Sequence, residues 1–599
     1  MLKKIFLLKF FILLIISNSI SFAAKNSEYM YLKEIKEGME GYGLTVFHGY
    51  KLTKFKVKIL GILKNTKPGR SMILAKCSGG PIKLARVQQG MSGSPVYING
   101  RLIGAVAYTW GYSLEPIAGI QPIKYMLDIW KRTSTPNIPY KKFLFKSASI
   151  YNFKPPKQDY ELIHNNVKLN GVKPVPTPLV VSGFHPEIIK FLKKDFSKMG
   201  FEIQAGGTST DNKKIKTTLD PGEAVGAQIV GGDSNITAIG TVTHRKGNKV
   251  LIFGHPLIKR GAINCPMTRA YVHYVFASRR LSWKIASSTN TVGMLLQDRA
   301  EGVSGILGKT ASMIPLKISV KDDDSTEKFN YTMIKDPYMF INLYVALVAN
   351  SLFEKTSKLH QGSVKTDVVV KFLDKKTNKN YTLNFNDFYV TTNPKAIMKR
   401  LKTLIRPLQF VIYNWFNRIK IQSIDTKIET SANFNIANIY KIKLLKARAK
   451  PGEKIDLIVT LMPFRGKIVH KLISVRIPKN IRENKYIIFI GSSKVESLTH
   501  QRYYKYYYQP RSIDHLVEIL ERRNRSSMDF AVWSDIKTPG LVINRYIMSN
   551  LPSSKAYAFG ARTVYGDSYP ISYIRRIKTF PTNYLINGWG KIQIRIENQ

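Results

Sequence analysis

Cysteine is almost absent from this chain, with two in 599 residues, Cys77 and Cys265. That excludes a disulfide-stapled scaffold, and neither residue stands in a metal-ligand spacing, so no metal or other cofactor is expected. Acidic residues are scarce as well: 39 Asp and Glu face 93 Lys and Arg, leaving a formal net charge of +54. Such a balance excludes an acidic solvating chain and suits anionic partners, here a membrane surface or cell-envelope polymers. The cations are spread along the chain, densest in "QRYYKYYYQPR" (501–511) and "ERRNRSS" (521–527). No nucleic-acid module motif accompanies them, so no specific nucleic-acid partner is expected. Beyond the N-terminus no apolar run has the length of a membrane helix. The longest uncharged run, residues 337–353, contains Asn342, Asn350 and Ser351 and reads as core. No repeat of solenoid length is present.

The N-terminus, "MLKKIFLLKFFILLIISNSISFAAK", places Lys3 and Lys4 before an apolar run and ends in small residues around Ala23 and Ala24. This is the pattern of a cleavable signal peptide over residues 1–24, which predicts export to the periplasm, cell envelope or medium. The remaining length is too great for one domain. Residues 25–130 read as short strands punctuated by Gly, Pro and Asn, the signature of a small β-barrel. Residues 131–177 are rich in Pro and Lys and read as a linker. Residues 178–219 read as a small α/β segment, with helical spacing in "HPEIIKFLKKDFSKMG" stopped by Gly200. Residues 220–320 return to strands and predict a second half-barrel. A mixed α/β region follows over 321–420, then a β-sandwich-like domain over 421–485 and a C-terminal α+β region over 486–599. The fold class expected is mainly β.

The stretch that carries chemistry is "RVQQGMSGSPVYINGRLIGAVAY", residues 86–108. Ser92 stands between Gly90 and Gly93, and Asn99-Gly100 joins two apolar strands as a two-residue hairpin, whose central positions both need positive φ. A serine nucleophile requires a base, an exposed turn and backbone N–H groups aimed at the developing oxyanion. Gly-x-Ser-Gly suits the last two, with the N–H groups of Gly90 and Ser92 as the oxyanion donors. The pattern departs from the Gly-x-Ser-x-Gly elbow, because position 94 is Ser.

These residues resemble the nucleophile segment of chymotrypsin-like proteases, and more closely that of the SpoIVB family of secreted serine peptidases. Gln89 to Pro95 and Asn99 to Val106 carry the resemblance. It implies an exported serine endopeptidase built on two half-barrels, acting on envelope or secreted proteins. It also implies a histidine base after a Gly-Thr-Val-Thr segment. Here "GTVTHRKGNKVLIFGHPL" makes His255 that base, with His244 read as a surface residue of a charged turn. The family places its histidine half before its serine half, so the two halves stand here in permuted order. The family's aspartate precedes the serine, at a position occupied here by Cys77. Asp298 is the substitute acid expected, Asp233 the second choice, and a bare Ser–His dyad the other reading. The PDZ domain of that family is not evident. A Cys77–Cys265 bridge clipping the halves is one expectation and two buried free thiols the other. The alternative to a peptidase is a protease-fold scaffold or adaptor that binds anionic envelope components without cutting.

Overall fold

A computed structural model describes residues 27–110, 113–132, 172–207, 218–356, 362–391, 394–479, 481, 484–503, 510–523, 528–543, 546–548, 551–560 and 568–597. The expected signal peptide, most of the expected linker and much of both basic stretches lie outside these residues.

Six strands build the first barrel: β1 (Glu40–His48), β2 (Lys51–Lys67), β3 (Arg70–Ser78), β4 (Pro95–Ile98), β5 (Arg101–Trp110) and β6 (Ile117–Pro122). They pair antiparallel in the order β4-β1-β2-β3-β6-β5, and β4 pairs with β5 to close the ring. The β4–β5 hairpin turns at Asn99 (φ 49°) and Gly100 (φ 76°), so the Asn-Gly reading is borne out. Both faces of β5 are buried. Ile103 and Val106 face the barrel core with Phe55, Val57 and Ile73. Leu102 and Ala105 pack outward, against Leu251 of the second barrel.

After β7 (Val172–Pro174), β8 (Thr177–Ser182) and β9 (Phe201–Ala205), six further strands make the second barrel. These are β10 (Ala224–Gly232), β11 (Asn235–Lys246), β12 (Lys249–Ile252), β13 (Gly261–Phe276), β14 (Trp283–Arg299) and β15 (Gly302–Leu307). They run in the order β10-β13-β14-β15-β12-β11, and β10 pairs with β11. Val225, Ala227, Ile252, Met267, Leu295 and Val303 fill this barrel. The architecture is thus mainly β, with two closed antiparallel barrels side by side, the double-barrel form of chymotrypsin-like proteins. The serine-bearing barrel comes first in the chain.

The residues expected as separate segments continue the second barrel's sheet. β8 and β9 extend it beyond β11, carrying helix α1 (Pro186–Phe196) across them, and Gly200 ends that helical stretch at φ 87°. At the other end β16 (Ile314–Lys321), β17 (Thr326–Met333), β18 (Gly362–Asp374), β19 (Asn380–Thr391) and β20 (Ile419–Ser431) extend it from β10. Helix α2 (Pro337–Lys355), capped by Asp336, is buried against them. Among the described residues no helix is long and apolar enough to cross a membrane.

The sandwich begins later than residue 421, because β20 belongs to the large sheet. Its two sheets use β21 (Ile436–Leu444), β22 (Arg448–Ala449), β23 (Lys454–Pro463), β24 (Val469–Arg476), β25 (Lys485–Ser492) and strands from 530 to 596. Residues 585–587 pair with β21 and residues 589–596 with β22 and β25. The expected boundary at 485 therefore falls inside one body, joined by pairings too distant in sequence for local pattern to reveal.

The two barrels are docked by an apolar seam in which Val46 meets Val180, Ala224, Ile239, Ala270, Val272 and Ala286. Gly49 and Val272 exchange backbone hydrogen bonds of 2.7 and 3.2 Å across it. Arg70 of the first barrel pairs with Glu301 of the second at 2.9 Å.

Candidate functional site

The turn carrying Ser92 lies on this seam. Its carbonyls are held from the second barrel. Thr241 donates its N–H to the Ser92 oxygen at 2.8 Å and its hydroxyl to the Gly90 oxygen at 2.9 Å, and the Thr243 hydroxyl donates to the Gly93 oxygen at 2.8 Å. The Gly-Thr-Val-Thr segment on β11 is thus a dock for the serine turn. Gly93 (φ 96°) is obligatory here: a Cβ would stand 2.0 Å from the Thr241 oxygen and 2.6 Å from the Phe253 nitrogen.

The turn's own amides are partly used. Met91 donates to Gln88, Gly93 to Val106 and Ser94 to Met91. Among the described residues the N–H groups of Gly90 and Ser92 donate to no acceptor. The Ser92 hydroxyl is fully buried and also has no hydrogen-bond partner there, as do the side chains of Gln88 and Ser94. Unpaired buried polar groups are rare in native proteins and call for an explanation, such as a catalytic role.

His255 reaches the same seam. Phe253 (φ 67°) and Gly254 (φ 68°) follow β12 in the left-handed region, and for a bulky Phe that is a strained conformation. This double turn brings Gly254 against the outward methyls of β5: a Cβ on it would stand 3.1 Å from Ala107 Cβ and 3.3 Å from Ala105 Cβ. Phe253 abuts Gly93 on one side, and His255 follows two residues later, 2 % exposed. Its Nδ1 lies 2.8 Å from the Pro256 carbonyl oxygen. A carbonyl only accepts, so in the neutral ring Nδ1 carries the hydrogen and Nε2 is the acceptor nitrogen.

Asp298 is fully buried, and its carboxylate accepts from the backbone N–H groups of Leu257 (2.8 Å), Ile258 (2.8 Å) and Arg260 (3.1 Å). Burial pushes its carboxyl up, while those amides and the Arg260 charge pull it back. It grips the loop that follows His255, and the imidazole's Nδ1 is served by Pro256. Asp233 takes up a turn contact, accepting from the Asn330 N–H at 2.6 Å.

Other expectations are corrected. His244 is buried, 5 % exposed, with Nε2 2.9 Å from the Tyr29 hydroxyl, because the N-terminal segment folds over the end of β11. Burial lowers its pKa, and Glu28 raises it again. Cys77 and Cys265 are free and sit in the cores of different barrels, so no bridge joins the halves. Burial pushes the Cys77 thiol up to about 12.

One residue escaped the sequence reading. Lys284 on β14 is fully buried, its methylenes against Gly90 (a Cβ there would stand 3.1 Å from Lys284 Cδ) and its Nζ 2.8 Å from Thr45 Oγ1 on β1. Its backbone N–H donates to the Gln89 oxygen at 3.1 Å. Among the described residues no carboxylate pairs with it, and burial lowers its pKa to about 7.

Comparison with known proteins agrees with this region. The family model of the SpoIVB peptidase S55 matches residues 16–115, which span the first barrel's strands through the Ser92 turn and β5. The match supports a SpoIVB-like serine peptidase at the family level and stops short of β11 and His255. No curated protein and no solved structure matches the chain.

Proposed function

From the similarity of residues 16–115 to SpoIVB peptidases, we propose that this chain is an exported serine endopeptidase that cuts envelope or secreted proteins at a site shared by its two barrels. The observation that carries the reading is the Ser92 turn: a buried hydroxyl and two amides without acceptors among the described residues, on a turn held by Thr241 and Thr243 and abutting Phe253, two residues before His255, to which the Ser92 hydroxyl makes no hydrogen bond. Ser92 Oγ attacks the scissile carbonyl while His255 Nε2 takes its proton. The N–H groups of Gly90 and Ser92 receive the oxyanion. His255 then returns the proton to the leaving amine, and water hydrolyses the acyl-enzyme by the reverse relay.

Three residues act through these. Pro256 holds the imidazole tautomer that a triad carboxylate holds elsewhere. Asp298 positions the loop behind His255, and Lys284 supports Gly90 from beneath. The burial of Ser92 and His255 favours one competing reading, a sealed protease-fold scaffold for anionic envelope components.

Labelling of the folded mature protein by a fluorophosphonate probe decides between them. Labelling that disappears in both Ser92→Ala and His255→Ala supports the peptidase. A folded wild type that never labels overturns it in favour of the scaffold.

A further inference from the structure

The strands β23 and β24 are joined by Phe464-Arg465-Gly466-Lys467-Ile468, at one tip of the C-terminal sandwich. Phe464 is 51 % exposed and Ile468 52 %. Phe464 is nevertheless held in place: its backbone N–H donates to the Ile436 oxygen at 2.9 Å, Phe434 packs on its ring with centres 5.6 Å apart, and the Arg465 guanidinium covers the ring at 5.1 Å. A held aromatic ring that still faces outward differs from a side chain merely left on the surface.

Cross-strand register extends this tip into a face. Ile458 stands between Lys443 and Leu472, Thr460 between Lys441 and His470, and Met462 beside Asn438. The alternate residues Leu457, Val459, Leu461 and Ile473 point into the sandwich core. Leu472 is 64 % exposed and Met462 40 %. Among the described residues Lys441, Lys443, Arg465 and Lys467 pair with no carboxylate; the sandwich's ion pairs, Lys446–Glu453 and Arg448–Glu597, lie elsewhere. The face's one acid, Asp456, accepts a hydrogen bond from Ser474.

We propose that this face and tip dock the protein on an anionic membrane surface. Phe464 and Ile468 enter the boundary between headgroups and acyl chains, and the unpaired cations meet the lipid phosphates. A soluble polyanion would satisfy the cations and leave the apolar tip in water. An anionic bilayer offers both an apolar phase and a negative surface, which is the combination this tip presents. The inference is independent of the peptidase reading.

The test is co-sedimentation of the full mature chain with vesicles of phosphatidylglycerol and phosphatidylcholine, and with phosphatidylcholine alone. The wild type is expected to bind the anionic vesicles at least tenfold more tightly and to weaken as salt is raised. The double variant Phe464→Ser/Ile468→Ser keeps every charge. It is expected to lose vesicle binding tenfold or more while binding inorganic polyphosphate as the wild type does. An unchanged thermal midpoint in that variant shows that the sandwich is intact. Equal vesicle binding by wild type and double variant overturns the proposal in favour of attraction by net charge alone. So does a wild type that ignores anionic vesicles.

Discussion

The amine of Lys284 lies 2.8 Å from the Thr45 hydroxyl, one residue from each barrel, while the methylenes of the same lysine pack against Gly90. A cation buried without a counter-charge is costly, and the group escapes that cost by losing its proton. The seam is therefore chemically different on either side of neutrality.

That difference is measurable as stability. Burial lowers the Lys284 pKa to about 7 in the folded protein, against about 10.4 in an unfolded chain. Between those values the unfolded state binds the extra proton, so this residue makes stability rise with pH, by up to about 1.4 kcal/mol per pH unit. Below pH 7 both states are charged and its contribution is flat. Lys284→Met should remove the slope; thermal midpoints of both proteins from pH 6 to 10 check it, and parallel curves would refute it.

Gly93→Ala places a methyl 2.0 Å from the Thr241 oxygen at a φ of 96°. The neighbour is backbone and cannot step aside, so the serine turn should separate from β11. Expected are a loss of about 1–3 kcal/mol and the disappearance of fluorophosphonate labelling. A variant that labels at the wild-type rate would show that the dock is dispensable.

Thr241→Val and Thr243→Val keep shape and delete the hydroxyls that serve the Gly90 and Gly93 oxygens. Each should cost about 1–3 kcal/mol, since a buried carbonyl loses a partner. Labelling should slow most in Thr241→Val, whose hydroxyl holds Gly90, one of the two residues expected to bind the oxyanion. Denaturation midpoints and labelling rates, read together, separate the two effects.

Asp298→Asn distinguishes a triad acid from a loop anchor. The carboxylate accepts three backbone N–H groups of the loop after His255. Loosening that loop should lower the labelling rate while its pH midpoint stays put. If Asp298 instead held the imidazolium, the midpoint would fall with the rate, and a labelling pH profile reveals which occurs.

Local features of this fold are written locally. Asn99-Gly100 marks its hairpin because two successive positive φ angles need those residue types. Asp336 and Pro337 mark the start of a helix whose long uncharged run fits the burial of residues 343–352. The site is legible to the extent that its turn is local, at Gly90, Ser92 and Gly93. The phase of β14 is not. Hydrophobicity alone puts Trp283 and Ile285 inside, whereas the structure buries Lys284 and Ala286, because the first barrel covers that side. His244 misleads for the same reason: its flanking cations suggest a surface turn, and the covering residue, Tyr29, comes 215 positions earlier. Seams between barrels and pairings such as that of residues 585–587 with β21 leave no periodicity to read.

The dock made by Thr241 and Thr243 also has a consequence in time. The ribosome finishes the Ser92 barrel long before it reaches residue 241, and His255 emerges later still. During that interval the serine turn lacks its clamp and, on the proposed reading, its base. On the proposed peptidase reading, a chain ordered this way would hold no complete site until its second barrel has closed. A chain with the halves in the opposite order would present its base first and complete its nucleophile last. Either order would guard the nascent chain, because neither barrel alone holds both Ser92 and His255.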